Sequence, residues 1–378
     1  MIKVHDCKKQ KLFLVIRKLA QEFCLSKHKK VFIKPNLGGR YPIIRGENTS
    51  YDIVHELCGI LKENGCQEIV IGHTSLLNFG NDKYDFETLI KQSGLDKLRK
   101  HGIVTLLNLD NAKRFSSAVT DISFGVPEII KSHYYINLCS LKTHMETTVS
   151  LSLKNQMGLL SADERKRSHQ INLDQHIAYL GSAVKPQLNI IDGRIGMQGN
   201  GPHHGTRGYA NIIICGDDMV EADSMACSLI GVDFAGVKHI ANAIKEGAGI
   251  PISQGQYKLY KELAVKFQQP QEYFQKYFLL QVWPNKACSG CIFSLSNAHK
   301  KIFRNPVKFT QFLHKLIKSR KFNIVLGKDA EKNISKYSGD VYAIGDCTNK
   351  FASLYEKHSF LPGCPPTEKS IAEFLLKK

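Results

Sequence analysis

YYINLCSLKTH, residues 134–144, decides how this chain is read. Tyr134 to Cys139 forms a short apolar and aromatic run that reads as a buried strand, and it feeds directly into Lys142 and His144. The segment that follows, KTHMETTVSLSLKNQMGLLSADERKRSH from Lys142 to His169, holds two histidines, two spaced lysines and an Asn-Gln pair in an otherwise apolar, β-branched sequence. Packing alone does not call for imidazoles and ammonium groups at these places, so the segment is the first candidate for chemistry.

The flanking sequence supplies companions for this strand. Upstream, residues 8–25 have the spacing of an amphipathic helix, and KKVFIKPN reads as a strand ending at Pro35 with Lys34 and Asn36 at its tip. A helical pattern from Tyr51 to Asn64 stops at Gly65, as a C-terminal glycine stops a helix. QEIVIGHTS is a strand with His73 just past its end, Tyr84 to Gly102 reads as helix, and IVTLLNLD as a third strand. Ser117 to Ile130 reads as a hairpin strand followed by a helical turn. Downstream, LNIIDG ends at Asp192, NIIICGDD ends at Asp217 and Asp218, and helices follow at Val220–Ile230 and Gly236–Glu246. Short apolar strands alternating with helices predict an α/β fold, layered, with a largely parallel sheet and helices on both faces.

In open α/β sheets the carboxyl ends of the strands line the ligand crevice. Lys34, Asn36, His73, Lys142, His144 and Asp192 all fall at such ends, so residues that singly read as surface groups are expected to form one cluster. IDGRIGMQGNGPHHGTRGY, residues 191–209, reads as a glycine-rich loop that serves either as a flexible connection or as an anion cradle, with Arg194 and Arg207 available to a carboxylate or phosphate.

The chain has 378 residues, which predicts two domains. The expected boundaries are 1–250 for an α/β substrate-binding domain, 251–281 for a helical bridge and 282–378 for a smaller α/β domain. No apolar run approaches the roughly 20 residues of a membrane helix, and the early LFLVI runs into Arg17 and Lys18 without a cleavage site. No membrane insertion and a cytoplasmic location are therefore expected. The net charge of +18 suits nucleic acid, anionic lipid or an anionic substrate. No segment alternates basic and aromatic residues as RNA-binding modules do, which argues against nucleic acid.

Eleven cysteines without an export signal point to reduced thiols. Cys7, Cys24, Cys58, Cys66, Cys139, Cys215 and Cys227 lie in apolar or helical settings and read as small buried hydrophobes. Cys288, Cys291, Cys347 and Cys364 differ: a CxxC pair is joined by two single cysteines in loop-forming surroundings. Four thiolates from separated loops suit a [4Fe-4S] cluster or a structural zinc, and Pro365 after Cys364 together with the absence of a second CxxC favours the cluster. FNIVLGK (322–328) and DVYAIGD (340–346) read as parallel strands, and the helix after PGCPP is expected to offer its N-terminal amides to the cluster.

LKTH (141–144), SLSLKNQMGLL (150–160), the downstream His169 and IDGRIGMQGNGPHHG (191–205) resemble the domain-of-unknown-function 362 family. CSGC, GDC and PGCPP resemble the cluster domain appended to some of its members, and PGCPP also resembles the cluster-binding turn of the small subunit of respiratory NADH:quinone oxidoreductases. A weaker similarity links the order of residues to the N-terminal domain of nickel-dependent lactate racemases. That similarity implies His73 and His144 as an acid-base pair, Lys154 as the anchoring lysine and His169 at the nickel-binding position. The glycine-rich signature around that lysine is missing and Asn36 stands where a carboxylate is expected, so the similarity carries over the location of the site and not nickel chemistry.

Together these readings predict an iron-sulfur oxidoreductase acting on an anionic small molecule. Lys34, Lys142, Lys154 and Arg207 would hold carboxylate or phosphate, with Asn36, Asn155, Asp192 and Arg194 completing the binding set. His73 and His144 would move protons, with His169 beside them, and the cluster would exchange electrons with a redox partner protein. The alternatives are a non-redox racemase, isomerase or lyase, and a non-catalytic electron carrier.

Overall fold

In a computed structural model of the chain, the described residues are 1–38, 46–76, 85–119, 122–202, 204–270, 280–319, 321–355 and 358–377. The first unit contains strands β1 (Ile2–Asp6), β2 (Lys30–Pro35), β3 (Glu68–His73), β4 (Thr105–Asn108), β5 (Arg114–Val119), β6 (Ile122–Pro127), β7 (Tyr134–His144), β8 (Thr148–Ser150), β9 (Leu188–Asn200), β10 (His204–Gly208) and β11 (Ile212–Gly216). The main sheet runs in the order β1-β11-β9-β7-β2-β3-β4, with β8 pairing β7 and β10 pairing β9. Strands β9, β7, β2, β3 and β4 are parallel, whereas β11 and β1 close one edge antiparallel. The β5–β6 hairpin stands apart as its own small sheet.

Burial explains why this sheet has two helical layers. Phe32, Val70, Cys139, Leu141 and Ile191 enter one apolar core, while their neighbours Val31, Ile33, Ile71, Leu138 and Ile190 enter the other. Alternate side chains of a strand point to opposite faces, so strands apolar throughout need cover on both sides. Helices Leu12–Glu22 and Tyr51–Glu63 cover one face, and helices Leu173–Ala183, Met219–Leu229 and Lys238–Lys245 the other.

Several expectations are corrected. The central strand runs on from Cys139 to His144, because β9 and β8 flank its extension and supply hydrogen-bond partners. The glycine-rich stretch is not a loop: β9 continues to Asn200 and pairs with β10 from Gly196 to Asn200, so a β-ladder engages the amides expected to turn toward an anion. The edge strand β1 carried no sequence signal. Cys24, in the left-handed conformation (φ 51°) after the first helix, is exposed, and Cys7 is half-buried.

The first unit ends at Pro270. Backbone bonds from Val265 to Leu229 and from Phe267 to Ile230 tie residues of the expected bridge to this unit, and residues 271–279 of that bridge lie outside the described residues. From Leu280 the second unit forms a parallel sheet of β12 (Leu280–Trp283), β13 (Phe322–Leu326), β14 (Asp340–Ile344) and β15 (His358–Leu361) in that order. Among the described residues no helix is long and apolar enough to cross a membrane.

Candidate functional site

Two lysines end core strands of the first unit and stay inside the protein. Lys34 is 1% exposed and Lys142 2% exposed. Lys34 Nζ donates to Pro35 O at 3.0 Å and Asn155 Oδ1 at 3.1 Å; Lys142 Nζ donates to Glu47 O at 2.8 Å and to Asn36 Oδ1. All four acceptors are neutral oxygens. Burial lowers the Lys34 ammonium to about 7, and the nearby Arg165 and Lys142 charges add to the effect. Burial likewise lowers Lys142 to about 8, the Glu47 carboxylate offsetting it in part. A cation costs several kcal/mol to desolvate unless it is paired, and the acceptors around these two ammonium groups carry no charge.

A chain of amides holds the lysines in place. Asn155 Nδ2 donates to Asn137 Oδ1 at 2.7 Å, Asn137 Nδ2 to Asn189 Oδ1 at 2.9 Å, and Asn189 Nδ2 to Gly216 O at 3.3 Å, crossing the sheet from β2 to β11. Residues 47–50 lie over the tips of β2 and β7: Thr49 Oγ1 accepts from Asn36 N at 2.8 Å and donates to Leu138 O at 3.0 Å. The short helix Ser152–Asn155, which carries Lys154 and Asn155, is anchored by Asp223, whose carboxylate accepts from Ser152 N at 2.8 Å and Leu153 N at 3.0 Å.

The two strand-end histidines are held by the backbone in opposite ways. His73 Nδ1 faces Thr74 O at 2.5 Å, so this nitrogen carries the proton, and Nε2 accepts from Leu37 N at 3.3 Å. Burial and the Lys34 charge push its pKa well below the ordinary value, which keeps the ring neutral. His144 Nδ1 accepts from Glu146 N at 3.1 Å and Thr147 N at 3.3 Å, and its Nε2 stands 2.7 Å from Lys154 Nζ. Thus one ring is protonated at Nδ1 and the other at Nε2.

Other expected members divide sharply. Asn36, Asn155, Lys34, Lys142, His73, His144 and Lys154 belong to the network just described. His169 reaches it through Glu146, 3.4 Å from His169 Nδ1, whose charge acts on Lys154. Arg194 does not present a cation to a ligand: it pairs with Asp192 at 2.8 Å and Asp52 at 2.7 Å, and Ser50 also bonds Asp192, at 3.1 Å. Those two carboxylates push the Arg194 pKa up. Arg207 lies exposed on β10, its Nη1 3.4 Å from the Tyr209 hydroxyl.

Arg165 was missed, because RKR in a polar helix reads as solvated surface. It is 8% exposed, and its charge acts on both Lys34 and His73. Its buried Nη2 makes no hydrogen bond among the described residues, and its ion pair to Asp110 is long at 3.9 Å. Gly158 was also missed. A Cβ there would lie 2.5 Å from Lys34 Nζ and 3.9 Å from His73 Nε2, so only hydrogen leaves room for the lysine.

In the second unit the four cysteines gather at the carboxyl ends of the strands. Cys288 caps the helix Ser289–Phe303, Cys291 lies in its first turn, Cys347 follows β14 and Cys364 follows β15. The Cys347 and Cys364 loops are laced by Asp346 N to Gly363 O at 3.0 Å and Gly363 N to Asp346 Oδ1 at 2.6 Å. A Cβ on Gly345, which has φ +95°, would come 3.1 Å from Cys291 Sγ. A hydrogen bond with Cys288, burial and the nearness of Cys288, Cys347 and Cys364 raise the Cys291 thiol well above its ordinary range. Among the described residues there is no group of three or more His, Cys, Asp or Glu side chains that could hold a metal ion. The terminal helix runs Glu368–Leu376 with Thr367 as its cap, matching the expected start after PGCPP, while two of the cysteines sit at the start of helix Ser289–Phe303.

Fold and site define a three-layer α/β protein with buried lysines, histidines and asparagines clustered at the carboxyl ends of its strands. The chain belongs to the family described as domain of unknown function (DUF362), whose model matches residues 31–228. It is 24% identical over 120 residues to a thylakoid-associated protein of Synechocystis sp., a match covering 30% of this chain and 37% of that relative's length. A crystal structure of a Thermotoga maritima protein aligns with a TM-score of 0.40 and 11% identity, covering 97% of this chain and 81% of that one.

Proposed function

We propose that the protein is an enzyme acting on a small anion, a carboxylate or phosphate, bound at Lys34, Lys142 and Arg165. The observation that carries this reading is Lys34: an ammonium 1% exposed, held by neutral oxygens, with cations as its charged neighbours. A bound anion supplies the missing negative charge. His73 and His144 flank the crevice as a proton acceptor and a proton donor, the roles their tautomers allow.

The nearness of Cys288, Cys347 and Cys364 to Cys291 supports a [4Fe-4S] cluster held by these four residues, and on that reading the reaction is an oxidoreduction with a redox protein as partner. Such a cluster, when bound, supplies one-electron transfer. A thiol-reducing, cytoplasmic setting suits both the cluster and the seven remaining free cysteines. Structural zinc is the alternative occupant.

Anaerobic preparation with iron, sulfide and zinc analysis and EPR tests the cluster; calorimetric titration with inorganic phosphate and with pyruvate tests the crevice. Iron and sulfide at cluster stoichiometry, and anion binding lost in Lys34→Met, are the expected results. Zinc in place of iron, or anion binding indifferent to Lys34, would overturn the corresponding half. The opposite tautomers of His73 and His144 favour one second reading, a non-redox racemase, isomerase or lyase, for which the reduction state of the cluster would not alter turnover.

A further inference from the structure

Lys154 is placed for a different task from Lys34 and Lys142. Those two are closed off from solvent and face oxygen acceptors, whereas Lys154 keeps partial solvent contact and its Nζ stands 2.7 Å from a ring nitrogen, His144 Nε2. The direction of that hydrogen bond follows from the far side of the ring. The backbone amides of Glu146 and Thr147 reach Nδ1 at 3.1 and 3.3 Å, and an amide N–H can only donate. Nδ1 therefore holds a lone pair, and the neutral imidazole carries its proton on Nε2. Nε2–H is then the donor, so Nζ must offer a lone pair, which an ammonium does not have. The Thr147 hydroxyl gives its proton to Val149 O at 2.9 Å and accepts one N–H from Nζ at 3.0 Å. An amine satisfies every one of these contacts, and an ammonium would set two donors against each other.

From this geometry we infer that Lys154 is the nucleophile of the site, an uncharged amine that condenses with the carbonyl group of an anionic aldehyde or ketone, such as a 2-oxo acid, to form an imine. The inference rests on the anionic-substrate reading above and names its substrate class. Nζ adds to the carbonyl carbon, and the carbon–oxygen double bond becomes a single bond. His144 passes its Nε2 proton to the oxygen and regains one from Nζ; the second Nζ proton leaves with that oxygen as water as the carbon–nitrogen double bond forms. Both amine protons end in the departing water, and no oxidant or reductant is consumed. The electrostatics agree: burial lowers Lys154 to about 8, Lys142 assists, and Glu146 and Asp174 oppose. The Lys154 charge also acts on His239, buried on helix Lys238–Lys245, and burial holds that ring below the usual histidine range.

The test is borohydride trapping on the full-length protein with pyruvate at about pH 7.5, followed by peptide mass mapping. An amine titrating at about 8 has roughly two orders of magnitude more neutral form there than a lysine near 10.4, so the reduced adduct is expected at Lys154 ahead of every exposed lysine. Lys154→Arg should abolish that adduct, and acetone, which lacks the carboxylate, should label at least about tenfold less. Mapping of the wild-type protein decides the matter even if the variant fails to fold. Adducts scattered over exposed lysines with none at Lys154 would overturn the inference, and calorimetric binding of pyruvate persisting in that case leaves the anion site standing. Equal labelling of Lys154 by acetone and pyruvate, with no pyruvate binding, would instead remove the anion site and keep the nucleophile.

Discussion

Replacing Lys34 by Met should make the ligand-free protein more stable while removing its capacity to bind an anion. The reason is linkage. The folded-state pKa of about 7 lies below the ordinary 10.5, so below pH 7 the ammonium is charged in both states and its burial weakens the fold by the full difference. At 1.36 kcal/mol per pH unit, that difference is about 5 kcal/mol. Stability rises with pH between about 7 and 10.5, where the unfolded chain binds a proton that the folded chain has lost. Met fills a similar volume without charge, and leaves Pro35 O and Asn155 Oδ1 without their donor, at about 1 kcal/mol each. The expected net gain is about 3 kcal/mol at pH 6, vanishing near pH 9 and reversed by about 1 kcal/mol at pH 10. Urea denaturation of both proteins at pH 6, 8 and 10 measures it, and phosphate affinity should fall by about tenfold or more in the variant. A variant less stable than wild type at pH 6, with a difference independent of pH, would show that Lys34 is a structural cation and would refute the reasoning.

Other outcomes follow from the same contacts. Gly158→Ala places a methyl 2.5 Å from Lys34 Nζ, so phosphate affinity should drop with little change in the circular dichroism spectrum; unchanged affinity would mean the lysine tip moves aside freely. Asp223→Ala leaves the Ser152 and Leu153 amides unpaired and should cost about 2–4 kcal/mol in urea unfolding. Burial pushes Asp223 up to about 7, so its carboxylate weakens the fold as pH rises from about 4 to 7, and that slope should be absent from Asp223→Asn. Nitrogen-15 NMR of the histidines should show His73 protonated at Nδ1 and His144 at Nε2; the reverse pattern at His144 would remove the hydrogen-bond argument for an uncharged Lys154. Serine at Cys288, Cys291, Cys347 or Cys364 should lower iron and sulfide content after anaerobic reconstitution, whereas Cys58→Ser, in the sheet-helix core of the first unit, should not.

The element pattern was legible because it is local. Apolar runs such as VFI, IVI and YYINLC need cover on both faces, and the prolines and glycines beside them mark where each strand stops. That alone put Lys34, His73, Lys142 and His144 at the carboxyl ends of a parallel sheet, and Cys347 at the end of a strand in a second. The sequence did not record which charges are already matched. Arg194 looked available, yet Asp52, 142 residues earlier in the chain, neutralises it. Arg165 looked like surface, yet folding buries it beside Lys34 and His73. The glycines from 193 to 208 looked like a loop because a lone strand and a flexible segment share a composition until β10 pairs with β9. The inferred charge state of Lys154 is the clearest case: it depends on backbone amides that turn back onto His144. Local composition fixes where a side chain enters the structure, but its charge state depends on solvent exclusion and on partners brought from elsewhere in the chain, and only the tertiary fold supplies those.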